Sequence, residues 1–152
     1  MKTKCLKSIN AVIAFLLCLL GFSGCELPSV EYGVPHADLD IEGQVSNEEN
    51  EVLPDIQIVA WKGWKDGGGT LYWQEYADTL YTDSTGRFYR FYENTFPLEY
   101  HRIIANDTTG TYASDTIDAT VSYSGGNGGW YEGKATLNVT FILQKNSSQE
   151  VE

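Results

Sequence analysis

Lys134-Ala135-Thr136-Leu137-Asn138-Val139-Thr140-Phe141-Ile142-Leu143-Gln144 places Ala135, Leu137, Val139, Phe141 and Leu143 on one face and mainly polar residues on the other. A period of two is the signature of a strand with one buried and one wet side. The same alternation recurs upstream. Leu39, Ile41, Gly43 and Val45 alternate with Asp38, Asp40, Glu42 and Gln44, and Asp55–Trp61 sets Ile56, Ile58 and Ala60 on one face. Leu71–Thr82 is rich in Tyr, Trp and Thr, which suit a pleated surface. Asp83-Ser84-Thr85-Gly86 is a turn signal that leads into Arg87–Glu93, predicting a hairpin. Leu98–Ala105 reads as a strand with Leu98, Tyr100, Arg102 and Ile104 on one side, and Ile117, Ala119, Val121 and Tyr123 alternate in another. About seven strands at short, regular spacing, with no helical stretch among them, predict an all-β fold. The expected architecture is an antiparallel β-sandwich over residues 38–145, with a polar tail over 146–152.

The 152 residues allow one ordinary domain with tails. A formal charge of −11 opposes nucleic-acid binding, which needs a basic face against phosphate. Lys2, Lys4 and Lys7 precede an apolar run from Ala11 to Leu20 and the small residues Ser23 and Gly24. That order predicts a signal peptide over 1–24, its apolar run too short for the ~20 residues that span a bilayer. Phe22-Ser23-Gly24-Cys25 resembles the bacterial lipobox, with Phe22 where Leu is usual. The resemblance implies acylation of Cys25, so that the membrane is a partner through lipid, and residues 25–37 form a Pro- and Gly-bearing tether. Cys5 and Cys18 would leave with the signal, so the mature chain would carry no free thiol. Losing the three lysines as well would take the charge from −11 to −14.

Gly43-Gln44-Val45, Pro54-Asp55-Ile56-Gln57-Ile58 and Tyr81-Thr82-Asp83-Ser84-Thr85-Gly86-Arg87-Phe88 resemble the strands and hairpin of the carboxypeptidase-regulatory-like, transthyretin-like (prealbumin-like) sandwich. Asp55 stands where that family usually has Gly. Tyr32-Gly33-Val34-Pro35 and Ala37, with Gly129-Trp130-Tyr131-Glu132-Gly133, resemble the radical-SAM-associated lipoproteins of Bacteroides type. That second resemblance implies a cell-envelope protein of a Gram-negative bacterium, and a neighbouring radical-SAM enzyme as a partner. Because Glu26 follows Cys25, rather than the Asp that commonly retains lipoproteins at the inner membrane, the expected location is the outer membrane.

Chemistry-bearing residues are sparse. His36 falls in the tether, and His101 reads as a partly exposed strand residue rather than a catalytic base. No serine has a nucleophile-elbow setting and no histidine has zinc spacing, so no catalytic residue is assigned. Asp38, Asp40 and Glu42 share a strand face, but without EF-hand spacing they read as a solvated face rather than a calcium site, and no cofactor is expected. Trp61, Trp64 and Trp73 flank the Asp66–Gly69 loop and are candidates for a stacking platform that would hold a glycan or partner. Asp78-Thr79-Leu80, Asp83-Ser84-Thr85, Asp107-Thr108-Thr109 and Asp115-Thr116-Ile117 match a D-[ST]-[AILVMT] triplet that resembles the O-glycosylation site of Bacteroides envelope proteins. The candidate acceptors are therefore Ser84, Thr108, Thr79 and Thr116. The function expected from these readings is a non-enzymatic binding or presentation role for a lipid-anchored envelope sandwich with a glycan or envelope-protein partner. Its alternatives are a glycan-binding accessory module and a substrate of the radical-SAM enzyme.

Overall fold

A computed structural model describes residues 33–146. Cys25, the segment 1–24 and most of the polar tail lie outside them. Nine strands follow in order: β1 (His36–Asn47), β2 (Gln57–Lys65), β3 (Leu71–Trp73), β4 (Asp78–Tyr81), β5 (Arg87–Thr95), β6 (Tyr100–Asn106), β7 (Asp115–Thr120), β8 (Ser124–Gly125) and β9 (Tyr131–Leu143). They form two sheets. One has the order β5-β1-β9-β8; in the other β2 lies between β6 and the short strands β3 and β4, and β7 borders β6. The β-sandwich read from the alternation is the fold. No helix long and apolar enough to cross a membrane occurs among the described residues.

Nine strands replace about seven for two reasons. The Leu71–Thr82 stretch breaks at Gln74–Ala77 into β3 and β4, and two residues of the glycine-rich loop pair with β9 as β8. The first strand also starts earlier than the tether was expected to end: His36 and Ala37 already pair with Tyr131 and Gly133. The expected hairpin across Asp83–Gly86 does not form. That turn carries the chain from β4, paired to β2, into β5, paired to β1 in the other sheet. All the pairs are antiparallel except one: β1 runs parallel to β9 from His36 to Asn47.

The core lies between the sheets. Leu39, Ile41 and Val45 from β1, Ile58 from β2, Ile103 from β6 and Phe141 and Leu143 from β9 are fully buried there. Gly43 sits in the same inward row of β1, and the Phe88 ring fills the space beside it. A Cβ at Gly43 would collide with the Val139 carbonyl and lie 2.7 Å from Phe88 Cζ, so this close approach requires glycine. Phe88 thereby packs β5 against β1, drawing it into the four-stranded sheet.

Two buried polar residues tie loops to this core. Thr82 Oγ1 donates to the Leu53 carbonyl at 2.7 Å and accepts from the Ile56 amide at 2.9 Å. Asn47 Oδ1 accepts from the Glu49 and Glu51 amides and its Nδ2 donates to both carboxylates, closing the turn after β1.

Candidate functional site

The outer face of the four-stranded sheet carries an open concave surface. Register brings side chains from three strands into rows. Arg87, Gln44 and Thr140 form one row, Tyr89, Glu42 and Asn138 the next, and Phe91, Asp40 and Thr136 a third. Neighbouring strands lie about 4.8 Å apart, so each row spans roughly 10 Å. The first two rows, with Tyr81 and Asp83 at the side, line an open groove of ≈ 590 Å³.

The polar groups of the groove are unequally engaged. In the third row Asp40 is saturated: Tyr89 Oη donates to it at 2.9 Å and Lys134 Nζ lies 2.7 Å away. The Lys134 contact, followed by the Tyr89 bond, holds the Asp40 carboxyl below its ordinary range. Asp83 is consumed by its own turn, accepting from the Thr85 hydroxyl and amide and the Arg87 amide. Those bonds hold its carboxyl low as well. Among the described residues, the ion pairs are Arg90–Asp78, Arg102–Asp118 and Lys134–Asp40. The Arg87 guanidinium and the Glu42 carboxylate are in none of them. A cation and an anion thus face solvent in adjacent rows, with the Asn138 amide and Thr140 hydroxyl beyond them on β9.

A second polar cluster lies at one end of the inter-sheet space. Alternation along β2 points Ile58, Ala60 and Lys62 inward, so a lysine takes a core position. Its Nζ sits 3.4 Å from the centre of the Tyr92 ring and 3.3 Å from Thr95 Oγ1. Desolvation lowers the ammonium pKa to about 8. Opposite it in register is His101, which is 0% exposed. Its Nε2 donates to the Leu98 carbonyl at 3.0 Å, while Nδ1 has no partner among the described residues. Burial, with the Lys62 charge as a smaller contribution, pushes the imidazole down to about 4. Tyr92 Oη donates to Asp78, which also pairs with Arg90, and burial followed by the Asp78 charge raises the phenol. A neutral imidazole and an easily deprotonated amine are groups that can accept protons, but the histidine is sealed from solvent.

No protein-family model matches the chain and no curated protein does. Among solved structures, the chain is similar to catechol 1,2-dioxygenase from Pseudomonas arvilla C-1, at 14% identity and a TM-score of 0.50, over 80% of this chain and 57% of that one. It is also similar to 3-chlorocatechol 1,2-dioxygenase from Rhodococcus opacus 1CP, at 14% identity and TM-score 0.47, over 75% and 66%. A third is hydroxyquinol 1,2-dioxygenase from Pseudomonas putida DLL-E4, at 8% identity and TM-score 0.48, over 79% and 65%. The chain spans less than two thirds of the length of each of these three proteins. The likeness to the P. arvilla enzyme is one of fold. It nevertheless corrects the expected function. A non-enzymatic binding or presentation role, with its glycan-module and maturation-substrate alternatives, rests on a sandwich without a recognisable site. The P. arvilla enzyme shares this sandwich, so the fold does not mark a non-enzymatic protein, and that expectation is withdrawn. Among the described residues, no three His, Cys, Asp or Glu side chains come together as a metal-binding group.

The residues singled out from sequence scatter over the molecule. Trp61 and Trp73 are half-buried on the outer face of the five-stranded sheet, where Arg102 lies 4.8 Å above the Trp73 ring. Trp64, three positions after Trp61, points to the opposite side and stacks on Tyr72 at 5.8 Å. The structure therefore puts Trp61 and Trp73 on one face of the sheet and Trp64 on the other. Ser84, Thr108, Thr79 and Thr116 are all exposed. The aspartate of each triplet accepts a backbone amide of its own turn or strand end. Asp38, Asp40 and Glu42 share the outer face as expected, but Asp38 is engaged by the Asn94 amide and Tyr131 Oη. His36 belongs to β1, its ring tilted against Tyr131. Sequence reasoning did not assemble Arg87, Glu42, Asn138 and Thr140, because only the register of β5 and β9 on β1 makes them neighbours. His101 is the clearest change: it is a core residue, since Tyr100, Arg102 and Ile104 face outward and His101, Ile103 and Ala105 face inward.

Proposed function

We propose that this chain is an acylated cell-envelope domain whose four-stranded sheet takes a small zwitterion, as ligand or substrate, on its outer face. The observation that carries the reading is that neither Arg87 nor Glu42 is ion-paired among the described residues, in an open groove whose other carboxylate, Asp83, is held by its own turn. A guanidinium binds carboxylate through paired N–H donors, and a carboxylate binds ammonium. Asn138 and Thr140, beyond Glu42 on β9, supply further donors and acceptors for a free amino acid or a short peptide. Tyr81 and Tyr89, 56% and 59% exposed, wall the groove and offer apolar ring surface that a ligand can cover.

Diglycine and glucose serve as the probes, titrated into the full chain by calorimetry. Diglycine should bind, and Arg87→Ala and Glu42→Gln should each weaken it at least tenfold, about 1.4 kcal/mol. Absence of diglycine binding, a preference for glucose, or indifference to both substitutions would overturn the reading.

The envelope location is supported by Phe22-Ser23-Gly24-Cys25 after a basic and apolar start. Acyl chains on one cysteine add about 0.8 kcal/mol of membrane affinity per buried methylene. Cys25→Ser is expected to abolish incorporation of labelled palmitate and to move the protein from the membrane fraction to the soluble one. Label retained in that variant would place the acylation elsewhere.

A further inference from the structure

We infer that the outer edge of β9 is a self-pairing interface through which two copies of this chain join their four-stranded sheets about a two-fold axis. β9 is paired along its whole length to β1 on one side. On the other side β8 covers only Gly133 and Lys134, and the Ala113 amide caps the Gln144 carbonyl. Between those limits, Ala135–Leu143 presents a free row of backbone donors and acceptors among the described residues. The remaining edges are managed in ways known to block strand addition. β5 carries Arg87, Arg90 and Glu93, β7 carries Asp115 and Asp118, and β3 and β4 are only three and four residues long. Ala135–Leu143 has no charge, no proline and no glycine, and it exposes Ile142 to 55%. In a chain of net charge −11 this is an edge that two copies can bring together without opposing like charges.

The occupant follows from the pattern of the strand itself. An antiparallel pairing centred on Val139 sets Thr136 opposite Ile142, Asn138 opposite Thr140, Leu137 opposite Phe141 and Ala135 opposite Leu143. Polar and exposed residues stay on the outer face and core residues on the inner one, as register demands. The next pair outward is Lys134 with Gln144, so the flanking cations do not meet. Backbone ladders of this kind give affinity by strand addition, and the symmetric arrangement closes as a dimer instead of extending as a fibre.

Sedimentation of the purified full chain in density-matched detergent, from low to high micromolar, tests this directly. The unsubstituted chain should pass from monomer to dimer. Thr136→Lys with Ile142→Lys puts lysine opposite lysine twice in the inferred register and should raise the dimer dissociation constant at least tenfold. Thr136→Lys with Ile142→Asp puts opposite charges in the same places and should restore dimerisation. A chain that stays monomeric throughout overturns the interface, as does a dimer that survives the double-lysine change. If both charged variants behave alike while their circular dichroism matches the unsubstituted chain, the antiparallel register is wrong. Assembly beyond a dimer overturns the two-fold closure.

Discussion

Acidification from pH 6.5 to pH 4 is expected to remove about 3 kcal/mol of stability through His101 alone. In the native domain the imidazole is sealed and neutral until the pH reaches about 4, because burial, more than the Lys62 charge, penalises the cation. In the unfolded chain it takes a proton near its ordinary value of 6.5. Between those two values the unfolded state binds the extra proton, so stability falls as the pH falls. Above 6.5 the histidine contributes no slope, and below about 4 its loss is complete. His101→Leu removes the titration while keeping the site apolar and filled, and the Leu98 carbonyl retains the Tyr123 hydroxyl as a donor at 3.0 Å. Urea unfolding at a series of pH values should therefore show the unsubstituted chain losing about 3 kcal/mol more than the variant across this window. Parallel acid limbs would mean that the imidazole is hydrated in the native state.

Phe141→Ala should destabilise the domain by about 3–5 kcal/mol. The ring is fully buried in the inward row of β9, where both sheets press on it. Whole domains retain about 5–15 kcal/mol, so this one truncation consumes a large share of the total. The neighbouring Ile142→Ala, on the outer face, should stay within about 0.5 kcal/mol. Equilibrium denaturation of the two variants compares the two faces of one strand. A smaller loss for Phe141→Ala than for Ile142→Ala would invert the orientation of β9.

Strand identity was largely legible because single-sided burial writes itself as alternation. Leu39, Ile41 and Val45, and the five apolar residues from Ala135 to Leu143, show their inward rows without any partner in view. β6 was harder: adjacent isoleucines at 103 and 104 support either phase, and the phase of Tyr100 is the outward one although Leu98, just ahead of the strand, is buried. The amphipathic Tyr100 and Arg102 cover apolar surface from outside, whereas the inward row includes the polar His101. Pairing was the least legible. The Asp83–Gly86 turn was recognisable from its side-chain hydrogen-bonding residues, but whether the following strand returns to the same sheet depends on Phe88 finding Gly43, 45 positions earlier in the chain. The groove inherits this difficulty. Arg87, Glu42 and Asn138 come from three strands, and no local pattern announces that they meet.

The parallel pairing of β1 with β9 also decides when the fold can close. The strand nearest the start of the domain lies between β5 and the strand that is made last, so the four-stranded sheet has an open seam until Leu143 has emerged. Contacts of such long sequence separation form slowly. The four-stranded sheet therefore closes only once the last strand of the domain has been made, and the sandwich locks at the end of synthesis rather than during it.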